Sequence, residues 1–213
     1  MSNDANHKIE PASRRSRRKA ATIDKLTDTA FRLFEESGVD AVSMEQIAEA
    51  SDVARATLYN HFPSKEALID YRFRREFAGG VEALMETVQR KKGIEAQLIY
   101  LFGAFSKWAL KNRRYLPYAL EHSLKRERPA DGDPSPSELN RVFASLLTQA
   151  QQRSEISRSA SAQTLAWYLE HLYFAATVRW LASPRTSPRA GFLHMVRLFL
   201  FGAVSGMRPG ARG

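Results

Sequence analysis

Cysteine is missing from this chain of 213 residues. Its absence excludes disulfide bonds, thiolate metal sites and thiol nucleophiles. No uninterrupted apolar run is long enough to cross a bilayer. The basic run near the N-terminus has no apolar stretch behind it, so it does not have the pattern of a secretory signal. We therefore expect a cytoplasmic protein without a membrane segment.

Acidic residues are scarce relative to basic ones. The chain has 23 Asp and Glu against 32 Lys and Arg, which gives a formal net charge of +9 and a sequence pI near 10.0. Such a surplus favours a polyanionic partner, either nucleic acid or an anionic membrane surface. The hydrophobic content of 44% is still sufficient for a packed core.

Strand-like alternation is absent, and the apolar residues recur at helical spacing throughout. The pattern predicts an all-α protein of about nine helices, with the residues near Gly38, 126–137 and 183–188 as breaks. The glycine pair Gly79–Gly80 falls inside the fourth predicted helix, where it indicates either a break or a kink. The helices are predicted over about 23–38, 43–50, 55–62, 64–92, 94–112, 116–124, 137–153, 160–181 and 188–204.

The most informative segment lies between Ser43 and Lys65, where two short helical patterns meet across a tight turn. Ser43 and Gln46 form a capping-box signature. Asp52 in the turn tolerates a left-handed conformation better than most non-glycine residues. This is the helix-turn-helix pattern, whose second helix enters the major groove of DNA, and Arg55 on that helix is suited to donating two hydrogen bonds to guanine.

Residues 20–70 closely resemble the DNA-binding domain of TetR-family transcriptional regulators. Two positions depart from the family pattern: Asp52 replaces the usual glycine, and Ala54 replaces a serine or threonine that would cap the helix. The resemblance rests on Phe31-x-x-Phe34, Gly38, Ser43-Met44-x-x-Ile47-Ala48, Val53 and Thr57-Leu58-Tyr59-x-x-Phe62-x-Ser64-Lys65-Glu66-x-Leu68.

The resemblance implies roles for several polar residues. Tyr59, His61 and Lys65 match positions that clamp phosphates, and Ser43 is placed to donate to a phosphate. Packing is the alternative for Tyr59 and His61, and a solvated surface charge is the alternative for Lys65. The predicted DNA-binding residues are Arg17, Arg18, Lys19, Ser43, Arg55, Thr57, Tyr59, Asn60, His61 and Lys65.

The sequence patterns and the resemblance together predict four parts in the chain. Residues 1–18 form a flexible basic arm, which either supplements DNA binding or is a solvated tail. A three-helix DNA-binding domain covers 19–65, a helical ligand-binding and dimerisation bundle covers 66–206, and 207–213 is a disordered tail. The last two helices are apolar nearly all the way round, so we expect them to pack against a second subunit as well as their own.

A ligand cavity is predicted inside the bundle, because large aromatic groups with polar tips recur on its helices. We expect a small apolar or aromatic effector there, although ordinary core packing is the alternative at each position. Leu-Glu-His occurs at 120–122 and again at 169–171, which raises a metal site as an alternative; no cofactor is predicted. The predicted ligand-binding residues are Phe105, Trp108, Tyr118, His122, Trp167, Tyr168 and His171.

The sequence thus predicts a homodimeric repressor that a small molecule releases from a palindromic double-stranded operator. It contains no phosphate-binding glycine loop, nucleophile elbow or zinc-protease motif, so we expect no enzymatic activity. A DNA-binding regulator or architectural protein without an effector is the alternative, and it would fill the cavity with side chains. A basic protein of the membrane surface is a third possibility, for which only the arm argues.

Overall fold

The computed structural model describes residues 14–126, 136–183 and 185–202, and the side chains from Lys19 onward in those ranges except that of Arg126. Nine helices and no strand occur in this described part, which confirms the predicted all-α fold. The helices are α1 (Arg14–Ser37), α2 (Met44–Ala50), α3 (Arg55–His61), α4 (Lys65–Gln89), α5 (Gly93–Lys111), α6 (Leu116–Arg126), α7 (Glu138–Gln152), α8 (Ala162–Ala182) and α9 (Pro188–Phe201).

The chain divides into two compact units between Ile69 and Asp70, inside α4. The predicted boundary lay four residues earlier, at the start of that helix. Leu68 and Ile69 are completely buried and are grouped with the first unit, so the first turn of α4 belongs to the N-terminal core. The first unit therefore contains α1, α2, α3 and that first turn.

Helix α1 begins at Arg14, so residues 14–18 are helical where a flexible arm was expected. Arginine and lysine are good helix formers, and adding a turn to an existing helix costs far less than nucleating one. The remainder of the predicted arm, residues 1–13, lies outside the described residues, as does the predicted tail at 207–213.

Local sequence chemistry explains the ends of the short helices. Ser43 Oγ accepts from the backbone N–H of Gln46 at 3.1 Å, and the Ser43 N–H donates to Gln46 Oε1 at 2.7 Å. This completes the predicted capping box. Gly38 has φ of +84° after α1, and Asp52 has φ of +51° after α2. Both therefore take the left-handed conformation that the sequence indicated.

The second unit is a helical bundle whose core is rich in aromatic side chains. Helix α8 packs against α7 and α9, and α5 packs against α9 and α7. Phe102 lies at the centre of this core, with its ring centroid 5.6 Å from those of Phe143 and Tyr173 and 6.3 Å from that of Phe192. Pro188 occupies the first turn of α9, as predicted.

Helix α4 continues through Gly79 and Gly80, as predicted, so the alternative of a helix break at this pair is excluded. Both glycines are exposed, and a Cβ atom added to either would meet no atom within 4 Å. Neither glycine is therefore required by close packing. No helix in the described part of the chain is both long and apolar enough to span a membrane.

Candidate nucleic-acid interface and ligand cavity

Helix α3 presents one exposed face and one partly buried face. Arg55, Tyr59 and Asn60 are exposed, and Tyr59 retains 44% of its surface. Thr57 and His61 are half-buried and lie one helical turn apart. Only the first group is therefore freely presented to a duplex.

The exposed face of α3 is linked to α2 by a side-chain hydrogen bond. The Tyr59 hydroxyl donates to Glu45 Oε1 at 3.1 Å. The pKa of the Glu45 carboxyl is lowered, first by a backbone hydrogen bond and then by this hydroxyl, and the same bond raises the pKa of Tyr59. Tyr59 is thus held in place before any ligand arrives.

Ala54 leaves the start of α3 without a side-chain cap, as its sequence implied. Asp52, two residues before it on the same connecting segment, is exposed. Both departures from the family pattern are therefore accommodated by the backbone without distorting α3.

Lys65 occupies a different environment from the one that its predicted role suggested. Its ammonium group donates to the carbonyl oxygens of Val39 and Val42 at 2.7 and 2.8 Å, and it lies 3.5 Å from that of Asp40. The side chain therefore ties the segment between α1 and α2 to the first turn of α4. A phosphate contact by Lys65 stays a prediction, and it would have to compete with these carbonyls.

The other predicted DNA contacts are distributed as follows. Lys19 is exposed on α1, and the Ser43 side chain is engaged in its capping box. The side chains of Arg17 and Arg18 lie outside the described side chains. Among the predicted DNA-binding residues, the exposed side chains of α3 are therefore the ones most accessible to a duplex.

The second unit contains a partly open cavity of about 310 Å³. It lies among α4, α5, α6, α7 and α8, and most of its walls are apolar. Phe105 and Trp108 line it, as the sequence predicted. Its apolar walls are formed by Phe73, Phe77, Val81, Leu84, Ala104, Phe105, Trp108, Leu116, Ala119, Leu120, Leu139, Tyr173 and Phe174.

Five predicted ligand-binding residues do not line this cavity. Trp167 and Tyr168 are about half exposed on α8, and the His171 ring stacks on Trp167 with centroids 3.9 Å apart. Tyr118 is half-buried elsewhere on α6. His122 lies 3.4 Å from Asp70, which does line the cavity. Helical periodicity does not say which side of a helix meets a cavity, so ligand contacts by these five residues stay predictions.

Charged residues enter the cavity wall from three helices. Asp70, Arg74 and Glu76 come from α4, Glu138 from α7 and Glu170 from α8. The Arg74 guanidinium lies 2.9 Å from the Asp70 carboxylate. Glu170 is buried and accepts hydrogen bonds from Ser137 Oγ and Asn140 Nδ2 at 2.6 and 2.9 Å. Their acidic side chains give the wall a polar side that the sequence analysis missed.

The two Leu-Glu-His repeats do not converge. Glu121 pairs with Lys125 and Glu170 with Ser137 and Asn140, whereas His122 faces Asp70. His171 Nδ1 is 2.7 Å from the carbonyl oxygen of Trp167. Across the described residues there is no group of three or more potential metal ligands.

The first unit is similar in sequence to known proteins. Residues 26–71 match the family model for bacterial regulatory proteins of the tetR family. Over these residues the chain is similar to the TetR family. The IcaR negative transcriptional regulator of the biofilm operon in Staphylococcus aureus is 38% identical over 47 residues, which is 22% of this chain. A transcriptional regulator of Mycobacterium tuberculosis is 42% identical over 53 residues, or 25% of this chain.

The TetR-family match covers only about a quarter of the length of these curated relatives, 25% and 26% respectively. Solved structures extend the similarity of fold to the bundle. FadR of Thermus thermophilus, a TetR-family repressor in complex with lauroyl-CoA, has a TM-score of 0.74 at 22% identity and covers 90% of this chain and 100% of its own. FadR of Bacillus subtilis, in complex with stearoyl-CoA, has a TM-score of 0.63 at 15% identity over 85% of this chain and 99% of its own.

Substitutions of Asp52 test whether the turn between α2 and α3 in the first unit lies close to DNA. We expect Asp52→Gly to relieve a left-handed residue and to raise the free energy of unfolding by less than about 1 kcal/mol. It should also strengthen duplex binding at low salt, because a carboxylate near the polyanion is removed. Asp52→Asn is the matched control, since it removes the charge and keeps the backbone-tolerant side chain. Duplex binding that neither variant changes would place the Asp52 carboxylate away from DNA.

Proposed function

We propose that this protein is a homodimeric transcriptional repressor of the TetR family that binds a palindromic operator and is released by a small apolar or aromatic effector. The cavity of about 310 Å³ in the second unit carries the proposal. A regulator without an effector would have filled this space with side chains, because protein interiors pack densely. The volume is within the range of small-molecule sites.

The ligands of similar folds support this proposal. Lauroyl-CoA and stearoyl-CoA occupy the two FadR proteins, and resorcinol is bound by RolR, whose TM-score is 0.60 at 17% identity. Each ligand offers an apolar chain or an aromatic ring. Helix α4 supplies eight of the residues that line the cavity here, so a ligand would contact that helix directly. A ligand changes operator affinity only by its difference in affinity for the two states, typically about 1–3 kcal/mol.

Exposed apolar side chains support dimerisation through α8 and α9. Trp167, Tyr168 and Val178 are exposed on α8, and Leu198 and Phe201 are exposed on α9. A groove of about 500 Å³ lies along the same two helices. A second copy packed there would cover apolar surface that is otherwise exposed to water. Two recognition helices set roughly 34–36 Å apart would then read one palindrome.

Selection of bound fragments from the host genome tests the DNA-binding part of the proposal. We expect recovery of one palindromic sequence, with binding that weakens steeply as salt rises. Sedimentation of the free protein should give the mass of a dimer. Equal binding to all fragments, or a monomer at the concentrations that bind DNA, would overturn the proposal.

Filling the cavity tests its role. We expect Leu84→Trp to abolish saturable binding of 1-decanol, measured by calorimetry, while operator binding remains within about twofold. The larger ring occupies space that the ligand needs, at an overpacking cost of about 1–3 kcal/mol. Leu110→Trp is the matched control, since Leu110 is 56% exposed and does not line the cavity. If Leu84→Trp binds 1-decanol as tightly as the wild type does, the cavity is not the effector site.

A further inference from the structure

The charges in the cavity wall are unbalanced. Four carboxylates and one guanidinium line it. Arg74 is matched by Asp70 at 2.9 Å, and Glu76 lies 3.8 Å from Lys111, which is exposed. This leaves Glu138 and Glu170, and among the described residues neither pairs with a cationic side chain. The wall therefore has no spare positive charge in that part of the chain to receive an anion.

Glu170 is the more constrained of these two acids. It is 4% exposed, and its two oxygen atoms each accept one neutral donor, Ser137 Oγ and Asn140 Nδ2. A carboxylate has about four acceptor sites, so about two remain for a ligand. Buried charges in proteins are normally paired with an opposite charge. Glu170 therefore has acceptor sites available for a cationic donor inside the cavity.

The residues around Glu170 fit the rest of such a ligand. Glu170, Tyr173, Phe174 and Thr177 follow one face of α8 at three- and four-residue spacing, and all four line the cavity. Aromatic rings attract cations as well as apolar chains. Trp108 and Phe73 stand in the same cavity, with their ring centroids 4.6 Å apart. The cavity thus combines an acidic end with aromatic walls.

We infer that the effector is an amphiphile with a cationic, N–H-donating head group, which Glu170 binds with help from the charge of Glu138. This inference rests on the proposed effector role of the cavity. An anionic head would approach two carboxylates that have no cationic partner in the described structure, and the repulsion grows as water is excluded. The effector class therefore differs in head-group charge from the acyl-CoA ligands of the FadR proteins.

Three probes with the same alkyl chain test the head group: protonated decylamine, 1-decanol and decanoate. Calorimetric titration of the full-length protein near neutral pH should rank their affinities in that order, with decylamine binding at least about tenfold more tightly than decanoate. Leu84→Trp should abolish saturable binding of decylamine, which would assign the site to the cavity. Decanoate binding as tightly as decylamine, or no saturable binding by any probe, would overturn the inference.

Two isosteric variants test the acids. Glu170→Gln should weaken decylamine binding about tenfold and leave 1-decanol binding within about twofold. This variant places an amide N–H₂ against one neutral donor, so its folding is checked by thermal unfolding. Glu138→Gln breaks no hydrogen bond among the described residues and should weaken decylamine alone, by about threefold. If neither variant distinguishes decylamine from 1-decanol, the acids do not bind the head group.

Operator release is measured separately, so that the two proposals fail in different ways. Preferential binding of decylamine without any loss of operator affinity would sustain the head-group inference and refute the proposed effector mechanism. Operator release by decanoate in preference to decylamine would sustain the effector mechanism and refute the head-group inference.

Discussion

Replacing Arg55 with alanine will weaken operator binding by roughly 5- to 150-fold, corresponding to about 1–3 kcal/mol for the loss of a bidentate contact to one base. Arg55 is the first residue of α3 and is exposed. In a helix-turn-helix, the N-terminal residues of the recognition helix contact base edges. A fluorescence-anisotropy titration with the selected operator and with random duplex measures the effect. The loss should be larger for the operator.

Two further variants separate base reading from general attraction to phosphate. Arg55→Lys keeps the positive charge but cannot form the planar bidentate contact. It should therefore lose preference at one guanine position while keeping the salt dependence of the wild type. Arg141→Ala removes another exposed arginine, from α7, and should change operator affinity by less than about twofold. If Arg55→Lys keeps the full preference for the operator over random duplex, Arg55 contacts phosphate and not a base.

The geometry of the first unit was predictable because its determinants are local. The capping box joins Ser43 to a residue three positions away, and the left-handed residues Gly38 and Asp52 follow directly from which side chains tolerate that conformation. Interactions of this kind depend on short sequence spacing rather than on the assembled fold. The bounds of α3 were accordingly predicted to within one residue.

The cavity was only partly predictable, because it depends on which helix faces meet. Trp167 and Glu170 lie on the same apolar helix, yet Trp167 is exposed and Glu170 is buried in the cavity wall. Helical periodicity separates the two faces but does not identify their neighbours. Glu170 was considered only as part of a repeated metal-ligand pattern. Its buried hydrogen bonds come from residues 30 and 33 positions away. No short-range sequence pattern predicts such contacts.

Lys65→Met will destabilise the N-terminal unit by about 1.5–3 kcal/mol, the range for hydrogen bonds that involve a charged group. The methionine keeps most of the aliphatic length but cannot donate to the carbonyl oxygens of Val39 and Val42. Those oxygens belong to the segment that leads into Ser43, the cap of α2. Chemical denaturation measures the change in the free energy of unfolding. Lys25→Met, an exposed lysine on α1, is the control and should have little effect.

The same variant decides between the two roles of Lys65, because a structural tie and a phosphate contact have different signatures. If Lys65 only positions the segment between α1 and α2, Lys65→Met will lower stability, and the salt dependence of operator binding will keep its slope at temperatures where the protein is folded. A phosphate contact would instead leave stability unchanged and reduce that slope by about one. The short distances to two carbonyl oxygens favour the first result. The ammonium would have to give up these partners to reach a phosphate, so the gain from the new contact would be offset by the carbonyl groups left without their donor.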